Sequence, residues 1–308
     1  MNLKALRADP LGYLIIRASR HGLLNWLPDR MYLKLRYRAY LKKWPDLKHP
    51  ATFGEKLQCL KICDRDPLYP RLVDKHEVRG YIAEQLGEEY LIPLVGGPWA
   101  SFDEIDFDAL PDQFVLKCTH DSGGLVICRD KAKMNMEAAR EKLERCLKRN
   151  YYWSGREWPY KNVRGRIIAE RYMEEDGSDT LTDYKVFCFS GVPKVILTVV
   201  GGHGDESRTL RRMYDTDWNL LPIALHGKPF VDEKQPKPDK LGEILALAEK
   251  LSAGKPHVRT DFYVIGGRVY FGEITFYHMS GMARIEPEEW NLRLGSWIRL
   301  PEQAESSE

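Results

Sequence analysis

The most constraining feature of the chain is residues 259–281, RTDFYVIGGRVYFGEITFYHMSG, where polar and apolar residues alternate on both sides of Gly266 and Gly267. Period-two alternation around a Gly-Gly pair predicts an antiparallel β-hairpin, because strand side chains point to opposite faces in turn. Each strand carries an acid, Asp261 and Glu273, and Arg259 stands two residues before the first. Two carboxylates on facing strands beside an arginine can hold Mg²⁺ against a polyphosphate. Register decides whether they do. A two-residue turn in an unbroken ladder pairs Asp261 with Gly272 and turns Glu273 to the other face. A three-residue loop (residues 266–268) or a bulge pairs Asp261 with Glu273 instead. We expect one of the latter two, since only then can the acids share a cation. An ordinary hairpin with solvated acids is the competing reading, and the hairpin alone does not choose between them.

At 308 residues with 43% hydrophobic and 11% aromatic content, the chain can bury a full core as one large domain or two smaller ones. Its charge is unevenly spread. Residues 1–48 hold eleven Lys/Arg against three Asp/Glu, a local +8 that leaves −6 for the rest of a chain of net +2. That argues against a nucleic-acid groove through the main body and points to a basic segment that touches something anionic. Within it, apolar and basic residues mix as two or three short helices punctuated by Pro10 and Pro28. Such a segment can lie on an anionic membrane or cap the main domain, and the two are compatible. No apolar run reaches the roughly 18–20 residues a membrane span needs, and no signal-peptide pattern opens the chain. Six cysteines (Cys59, Cys63, Cys118, Cys128, Cys146 and Cys188) show no metal-ligand spacing and read as reduced thiols of a cytoplasmic protein.

Along the chain, residues 52–61 read as a helix. A second helix is expected to begin at Asp74, an N-cap with Glu77 three residues on, to present Val78, Ile82 and Leu86, and to stop at Gly87. Lys75 then falls in its first turn, a poor place for a cation without an anion beside it, or is an ordinary surface lysine. In FVLKCTHDSGGLVIC, two strand-like runs flank residues 119–124. This is either a common glycine hairpin or a lid that folds its amides over phosphates, with Lys117 in reach. It is neither a Walker A loop nor a dinucleotide fingerprint. Adjacent His120, Asp121 and Ser122 cannot form a hydrolytic triad, whose partners converge from separated segments. Further on we expect a helix opened by Asn135, a polar aromatic loop at 151–160, strands at 166–173, 183–190, 194–200 and 210–215, and a glycine-rich loop at 201–204. A helix carrying Leu241, Ile244, Ala248 and Leu251 then leads into the hairpin.

Taken together, FGEKLQCLKICDRDPLYPRLVDKHEVRGYI, GEEYLIPLVG, FVLKCTHDSGG, NYYWSGREWPYKN, RIIAERYM, DYKVFCF, MYDTDWNLLP, VRTDFYV and VYFGEITF, in this order, resemble the TupA-type (teichuronopeptide biosynthesis) ATP-grasp proteins of bacterial surface-polysaccharide loci. The resemblance covers roughly residues 50–300 and implies an α+β class: an ATP-grasp fold of two α+β lobes clamping ATP. Residues 1–48 would be a basic helical N-terminal segment, 49–170 the N-terminal lobe with its lid, and 171–308 the C-terminal lobe with the metal site. By the same resemblance Lys75 and Lys117 bind phosphates, and His120, Ser122, Gly123 and Gly124 form the lid. Glu170 and the Tyr172 backbone line the adenine site, Asp183 and Lys185 lie near ribose and phosphates, and Asp261 and Glu273 carry Mg²⁺. Thr275 stands where the superfamily usually has Asn, which leaves one oxygen as a third ligand. Residues 278–281 replace the usual proline-glycine substrate loop, with Ser280 counted toward the cofactor.

The implied activity is an ATP- and Mg²⁺-dependent carboxylate–amine ligase that forms an amide through an acyl phosphate. It would join an amino acid to a sugar-linked, even lipid-linked, carboxylate or amine. Nucleic acid is not an expected partner, and the location is the cytoplasm, with peripheral contact at the inner membrane face through residues 1–48. Arg259 is the candidate for the acyl-phosphate oxyanion and Arg211 (or Arg212) for a substrate carboxylate, with structural salt bridges as rival roles. Two other functions stay open. Asp215-Thr216-Asp217 formally fits the DxD motif of a glycosyltransferase, although it sits among turn residues. A degenerate, non-catalytic ATP-grasp scaffold is the other.

Overall fold

The structure, a computed structural model, describes residues 8–174, 181–201, 209–225 and 230–301. The N-terminal segment forms α1 (Pro10–Arg20) and α2 (Asp29–Leu41), with Pro10 opening the first and Pro28 preceding the second. Proline suits both places because the first helical N–H has no intrahelical partner. α2 buries Tyr32, Leu33 and Tyr37 completely, so this segment is a cap packed on the body.

α3 (Phe53–Cys63) begins at a capping box in which Thr52 and Glu55 satisfy each other's amides, a device that contributes about 1 kcal/mol. α4 (Tyr69–Val73) and α5 (Glu77–Gln85) follow. The helix expected from Asp74 thus starts three residues later. Asp74 ends α4, and its Oδ1 accepts the amides of His76 (2.8 Å) and Glu77 (3.1 Å), so Lys75 lies in the connecting turn. Gly87 stops α5 at φ +120°, which residues with a Cβ avoid.

β1 (Leu94–Trp99), β2 (Phe114–Cys118) and β3 (Leu125–Cys128) come next, then α6 (Met136–Leu147), the short α7 (Tyr152–Gly155) and β4 (Ile167–Arg171). The four strands form an antiparallel sheet of order β1-β4-β2-β3, with its own core of Phe102, Phe114, Leu116, Leu143 and Ile167. β5 (Thr182–Phe189), β6 (Val192–Val200), β7 (Leu210–Tyr214) and β8 (Leu220–Leu221) begin the second sheet. After β9 (Ala224–Leu225) and α8 (Leu241–Ser252), it is completed by β10 (His257–Ile265) and β11 (Arg268–Thr275), in the order β11-β10-β5-β6-β7-β8. β12 (Ile285–Glu286) pairs with β9 and precedes α9 (Glu288–Ser296).

Alternation on β5 shows how this sheet is covered. Cys188 Sγ meets Ala248 O of α8 (3.7 Å), while Phe187, one residue earlier and so on the other face, packs on Phe53 of α3. α3, α4 and α5 share this core through Phe53, Leu72 and Ile82. Residues 53–85, grouped with the N-terminal lobe on sequence, therefore pack with the six-stranded sheet, and the four-stranded lobe is built from residues 94–171. Of the glycine-rich stretch expected at 201–204, all but Gly201 lies outside the described residues.

The hairpin follows one of its two expected routes. Ile265 pairs with Arg268, so the turn has two residues, Gly266 and Gly267, both at positive φ (+56° and +72°) as a type I′ turn requires. The three-residue loop does not form. A bulge supplies the register instead: Asp261 pairs with Glu273 and Phe262 with Phe271, which leaves Gly272 over. A Cβ there would lie 3.1 Å from both Asp261 O and Tyr263 Cε2, so glycine lets the bulge close.

Candidate active site

Odd-numbered residues of β5 and β10 share one face, joined from β11 by Glu273 and Thr275 beyond the bulge. Lys185, Asp261 and Glu273 form a row across three strands, with Phe187, Arg259 and Thr275 in the next row and Asp183 beside Tyr263 on the other side. Directly opposed side chains lie within about 5 Å of one another at Cβ. Phe53 closes the aromatic end of this face. At the charged end, Asp183, Lys185, Asp261 and Glu273 line a cleft with Lys75, Lys117 and the glycine-rich loop between β2 and β3.

Arg259 organises the acids. Its Nε donates to Asp261 Oδ1 and its Nη2 to Asp261 Oδ2, both at 2.7 Å. Nη2 also donates to Glu273 Oε1 (2.7 Å) and Thr275 Oγ1 (3.1 Å), while Nη1 meets His278 Nδ1 at 2.8 Å. Lys185 Nζ donates to Asp261 Oδ2 (2.5 Å) and to Asp183 Oδ2. Burial opposes both cations, but their carboxylate partners outweigh it and push them above their ordinary pKa values. Burial would also raise Glu273, yet Arg259, Lys75 and Lys185 bring its carboxyl down to about 2. Asp183 goes the other way: burial, reinforced by the charge of Asp261 and only partly offset by Lys185, pushes it up.

These donors fit a hard divalent cation. Two carboxylates and a hydroxyl converge on the point held by Arg259 Nη2, an oxygen set of the kind Mg²⁺ takes. Glu273, its side chain 41% exposed, is open to the cleft, whereas Asp261 is only 1% exposed and engages both oxygens with cations. Thr275 Oγ1 donates to Glu273 Oε1 (3.1 Å), so in this arrangement it orients the acid.

The remaining predicted residues fall into two groups. Lys75 ties the loop to the α4–α5 connection, with Nζ donating to Asp121 O (2.6 Å) and its N–H to Thr119 O (2.9 Å). Lys117 Nζ bonds Glu170 Oε2 (2.5 Å), whose other oxygen takes Arg79 Nη1 (3.4 Å). Ser122 and Gly123 are exposed at the cleft, while Gly124 N–H is engaged by Asp121 Oδ1 (3.2 Å). Glu170 and Tyr172 border an adjoining pocket walled by Ile92, Val115, Ile127, Met173 and Leu181, which suits a flat apolar ring.

His120 and Ser280 are not brought to the cleft. The His120 ring turns inward beside Gly165, with Nε2 2.9 Å from Arg149 O and 3.1 Å from Cys146 O. Ser280, at φ +55°, accepts Lys61 Nζ at both O and Oγ (2.8 Å each). It belongs to a buried polar cluster with Gln58 and Glu157. Burial pulls Lys61 down to about 7 and pushes Glu157 up, each charge drawing the other back. Arg211 shares the site face through the row Asp183–Val199–Arg211, about 10 Å from Asp183 at ~4.8 Å per strand. Arg212 points to the opposite face, on Glu233 (2.6 Å). Asp215 is engaged by its own turn, accepting the amides of Asp217 (3.0 Å) and Asn219 (2.8 Å), as turn chemistry predicts.

Sequence reasoning missed Arg79, Tyr263, Lys61 and Glu157. Tyr263 lies two residues past Asp261, so strand periodicity could have found it, whereas Lys75 lies in the turn before α5 and helical spacing does not link Arg79 to it. Lys61 and Glu157 are far apart in sequence and carry no local signal.

The profile of a family described as TupA-like ATPgrasp matches residues 55–299. No curated protein sequence matches the chain. Among solved structures, D-alanine–D-alanine ligase from Bacillus anthracis, in complex with ATP, is similar at 19% identity and TM-score 0.35, over 67% of this chain and 55% of that one. D-Alanine–D-alanine ligase from Helicobacter pylori is similar at 15% identity and TM-score 0.43, over 82% and 70%. L-Amino acid ligase from Bacillus licheniformis is similar at 12% identity and TM-score 0.40, over 86% and 53%. The chain thus spans little more than half of the Bacillus structures, and likeness at this level carries no argument about activity.

Proposed function

We propose that this chain, which belongs to the TupA-like ATP-grasp family, is an ATP- and Mg²⁺-dependent carboxylate–amine ligase. It would join an amino acid to a sugar-linked carboxylate or amine of a bacterial surface polysaccharide. The observation that carries the proposal is the charged row Lys185–Asp261–Glu273, flanked by Arg259 and Thr275, in a cleft under a glycine-rich loop. Ligation by way of an acyl phosphate needs no protein nucleophile, only alignment and neutralised charge. Bound at Glu273 and Asp261, Mg²⁺ would supply charge neutralisation at the phosphates. Lys75 and Lys117 would exchange Asp121 O and Glu170 for phosphate oxygens, and the apolar pocket beside Glu170 and Tyr172 would take the base. Arg259, fixed on one edge by Asp261, would face the acyl-phosphate oxyanion, and Arg211 a substrate carboxylate. An ADP-release assay across amino acids and uronates, with product mass spectrometry, tests this. No ADP from any pair, together with no nucleotide binding by calorimetry, would refute it.

The N-terminal cap supports a separable proposal of peripheral binding to an anionic membrane from the cytoplasmic side. Leu11, Leu14, Leu23, Trp26 and Trp44 are 49–79% exposed within the chain's most basic segment. Leu11 and Leu14 share a side of α1 by their spacing, and tryptophan with basic residues suits the headgroup region. No helix among the described residues is long and apolar enough to cross a membrane. Phosphatidylserine vesicles should bind the protein in a salt-sensitive way that a Leu23→Ser/Trp26→Ser double variant abolishes. Equal binding by that variant overturns the proposal.

A further inference from the structure

We propose that Cys118, Asp121 and Cys146 form a site for a thiophilic divalent metal ion, zinc in type, at the root of the glycine-rich loop. Cys118 ends β2, Asp121 lies in the loop and Cys146 sits in the last turn of α6. One ligand atom of each, two Sγ and a carboxylate oxygen, lies within 4.8 Å of the other two. In a tetrahedral zinc site with bonds of ~2.0–2.3 Å, ligand atoms stand about 3.5 Å apart. Closure therefore needs only a small contraction of three side chains.

A second, independent observation points to a ligand. The Asp121 side chain is fully buried (0% exposed), and its Oδ2 has no hydrogen-bond partner. Oδ1 is engaged by Gly124 N–H (3.2 Å), while the cation next to Oδ2, Arg149 Nη2, stands off at 3.9 Å. A carboxylate oxygen buried in this way normally has a donor or a metal. The Cys118 and Cys146 thiols stand within 4.8 Å of one oxygen of the Asp121 carboxylate, to which the Cys146 thiol is a weak hydrogen-bond donor. Metal uptake converts both thiols to thiolates, releases two protons and leaves the fourth position to water, with no redox step. Entry is available because Cys118 and Asp121 also border the cleft. His120, held on Cys146 O and Arg149 O, steadies the α6 end of the site.

The proposal is independent of the ligase reading, because two thiolates select a softer metal than the oxygen set at Asp261 and Glu273. Bound metal would pin the loop to β2 and α6. The test is titration of the reduced, metal-free full chain with Co²⁺, followed by Zn²⁺ displacement. We expect one equivalent of Co²⁺ to give a thiolate-to-cobalt charge-transfer band and a tetrahedral ligand-field spectrum. Cys146→Ser should lose both, Cys63→Ser should keep both, and Zn²⁺ should bleach them. Co²⁺ at the carboxylate site gives no thiolate band, so the two sites are told apart. Should Cys146→Ser not fold, Asp121→Asn serves as the second variant, with metal stoichiometry as its readout. Absence of the band, a band unchanged in the folded variants, or loss of both thiols to a Cys118–Cys146 disulfide in place of metal uptake would overturn the proposal.

Discussion

Replacing Arg259 by Met separates what the guanidinium does for the fold from what it does for a cation. Methionine keeps most of the stem volume and removes five hydrogen bonds that reach Asp261, Glu273, Thr275 and His278. Asp261, 1% exposed, is then left with Lys185 as its remaining cation. Removing one partner of a buried ion pair costs about 3–5 kcal/mol. At about 2 °C per kcal/mol for a chain of this size, Tm should fall by about 6–10 °C. The same change alters the charge balance. Asp183, Asp261 and Glu273 face Lys185 and Arg259 in the wild type, so losing the arginine makes the cluster one unit more negative. Nucleotide-free Mg²⁺ should therefore stabilise Arg259→Met more than the wild type, by about 1.4 kcal/mol at ten times its Kd. Denaturant titrations with and without Mg²⁺ measure both effects. A variant as stable as wild type, or one that gains nothing extra from Mg²⁺, would refute the view that this guanidinium holds the acids together in place of a metal.

Three further outcomes follow. Glu273→Gln keeps acceptors for Arg259 and Thr275 but loses the charge open to the cleft. It should weaken MgATP binding by about tenfold or more, the equivalent of ~1.4 kcal/mol, while metal-free ADP binding stays near wild type in calorimetry. Gly272→Val puts a branched side chain where a single Cβ already meets Asp261 O and Tyr263 Cε2 at 3.1 Å. MgATP affinity should drop although far-ultraviolet circular dichroism is retained, and unchanged affinity would show that the bulge does not set the site. His257 is buried, and burial, with the charge of Arg259 adding to it, depresses its pKa from 6.5 to about 3. The unfolded chain then binds a proton that the native state does not, so stability falls as pH drops from 6.5 toward 3. At pH 5 the cost is about 2 kcal/mol. His257→Asn keeps a donor for Cys188 O and should escape that loss; parallel wild-type and variant curves between pH 7 and 5 would exclude it.

Legibility in the sequence tracked how local the physics was. Alternation around Gly266-Gly267 located the hairpin, and the requirement that Asp261 meet Glu273 pointed to an irregularity without saying where. The tight turn and the bulge at Gly272 solve the same register problem as a longer loop would; the positive φ of Gly266 and Gly267 suits the two-residue turn, and Gly272 leaves room beside Asp261 O and Tyr263 for the bulge. Asp261 and Glu273 were expected on one face from the hairpin's alternation, whereas Lys185 was expected near phosphate only by family resemblance; strand pairing sets all three in one row. His120 and Ser280 were misplaced because a polar residue in a glycine-rich or turn-like stretch looks exposed until its neighbours are known. One ring lies on carbonyls at the end of α6, and one hydroxyl meets a fully buried lysine from α3. That the core residues of 53–85 pack with the six-stranded sheet was not legible for a related reason: an amphipathic helix advertises an apolar face, not the sheet that will cover it.

The two proposed cation sites both adjoin the loop between β2 and β3, and Lys75 touches that loop. Its Nζ is the donor to Asp121 O at 2.6 Å, and it is also among the groups that lower Glu273. On the proposed function, phosphate at the cleft would compete for that ammonium, and a Lys75 drawn toward phosphate would leave the Asp121 carbonyl without its donor. A loop held only by Lys75 would then loosen at the moment nucleotide arrives. Metal at Cys118, Asp121 and Cys146 would give the loop a second anchor that does not depend on Lys75, because its ligands are thiolates and a carboxylate rather than an ammonium that phosphate can draw away. In Lys75→Met, the loop should accordingly depend on the metal. Zn²⁺ should protect the amides of residues 119–124 from hydrogen exchange more strongly in this variant than in wild type, where Lys75 already holds the loop. Equal protection in the two proteins would show that the lysine and the metal site do not share the task of holding the lid.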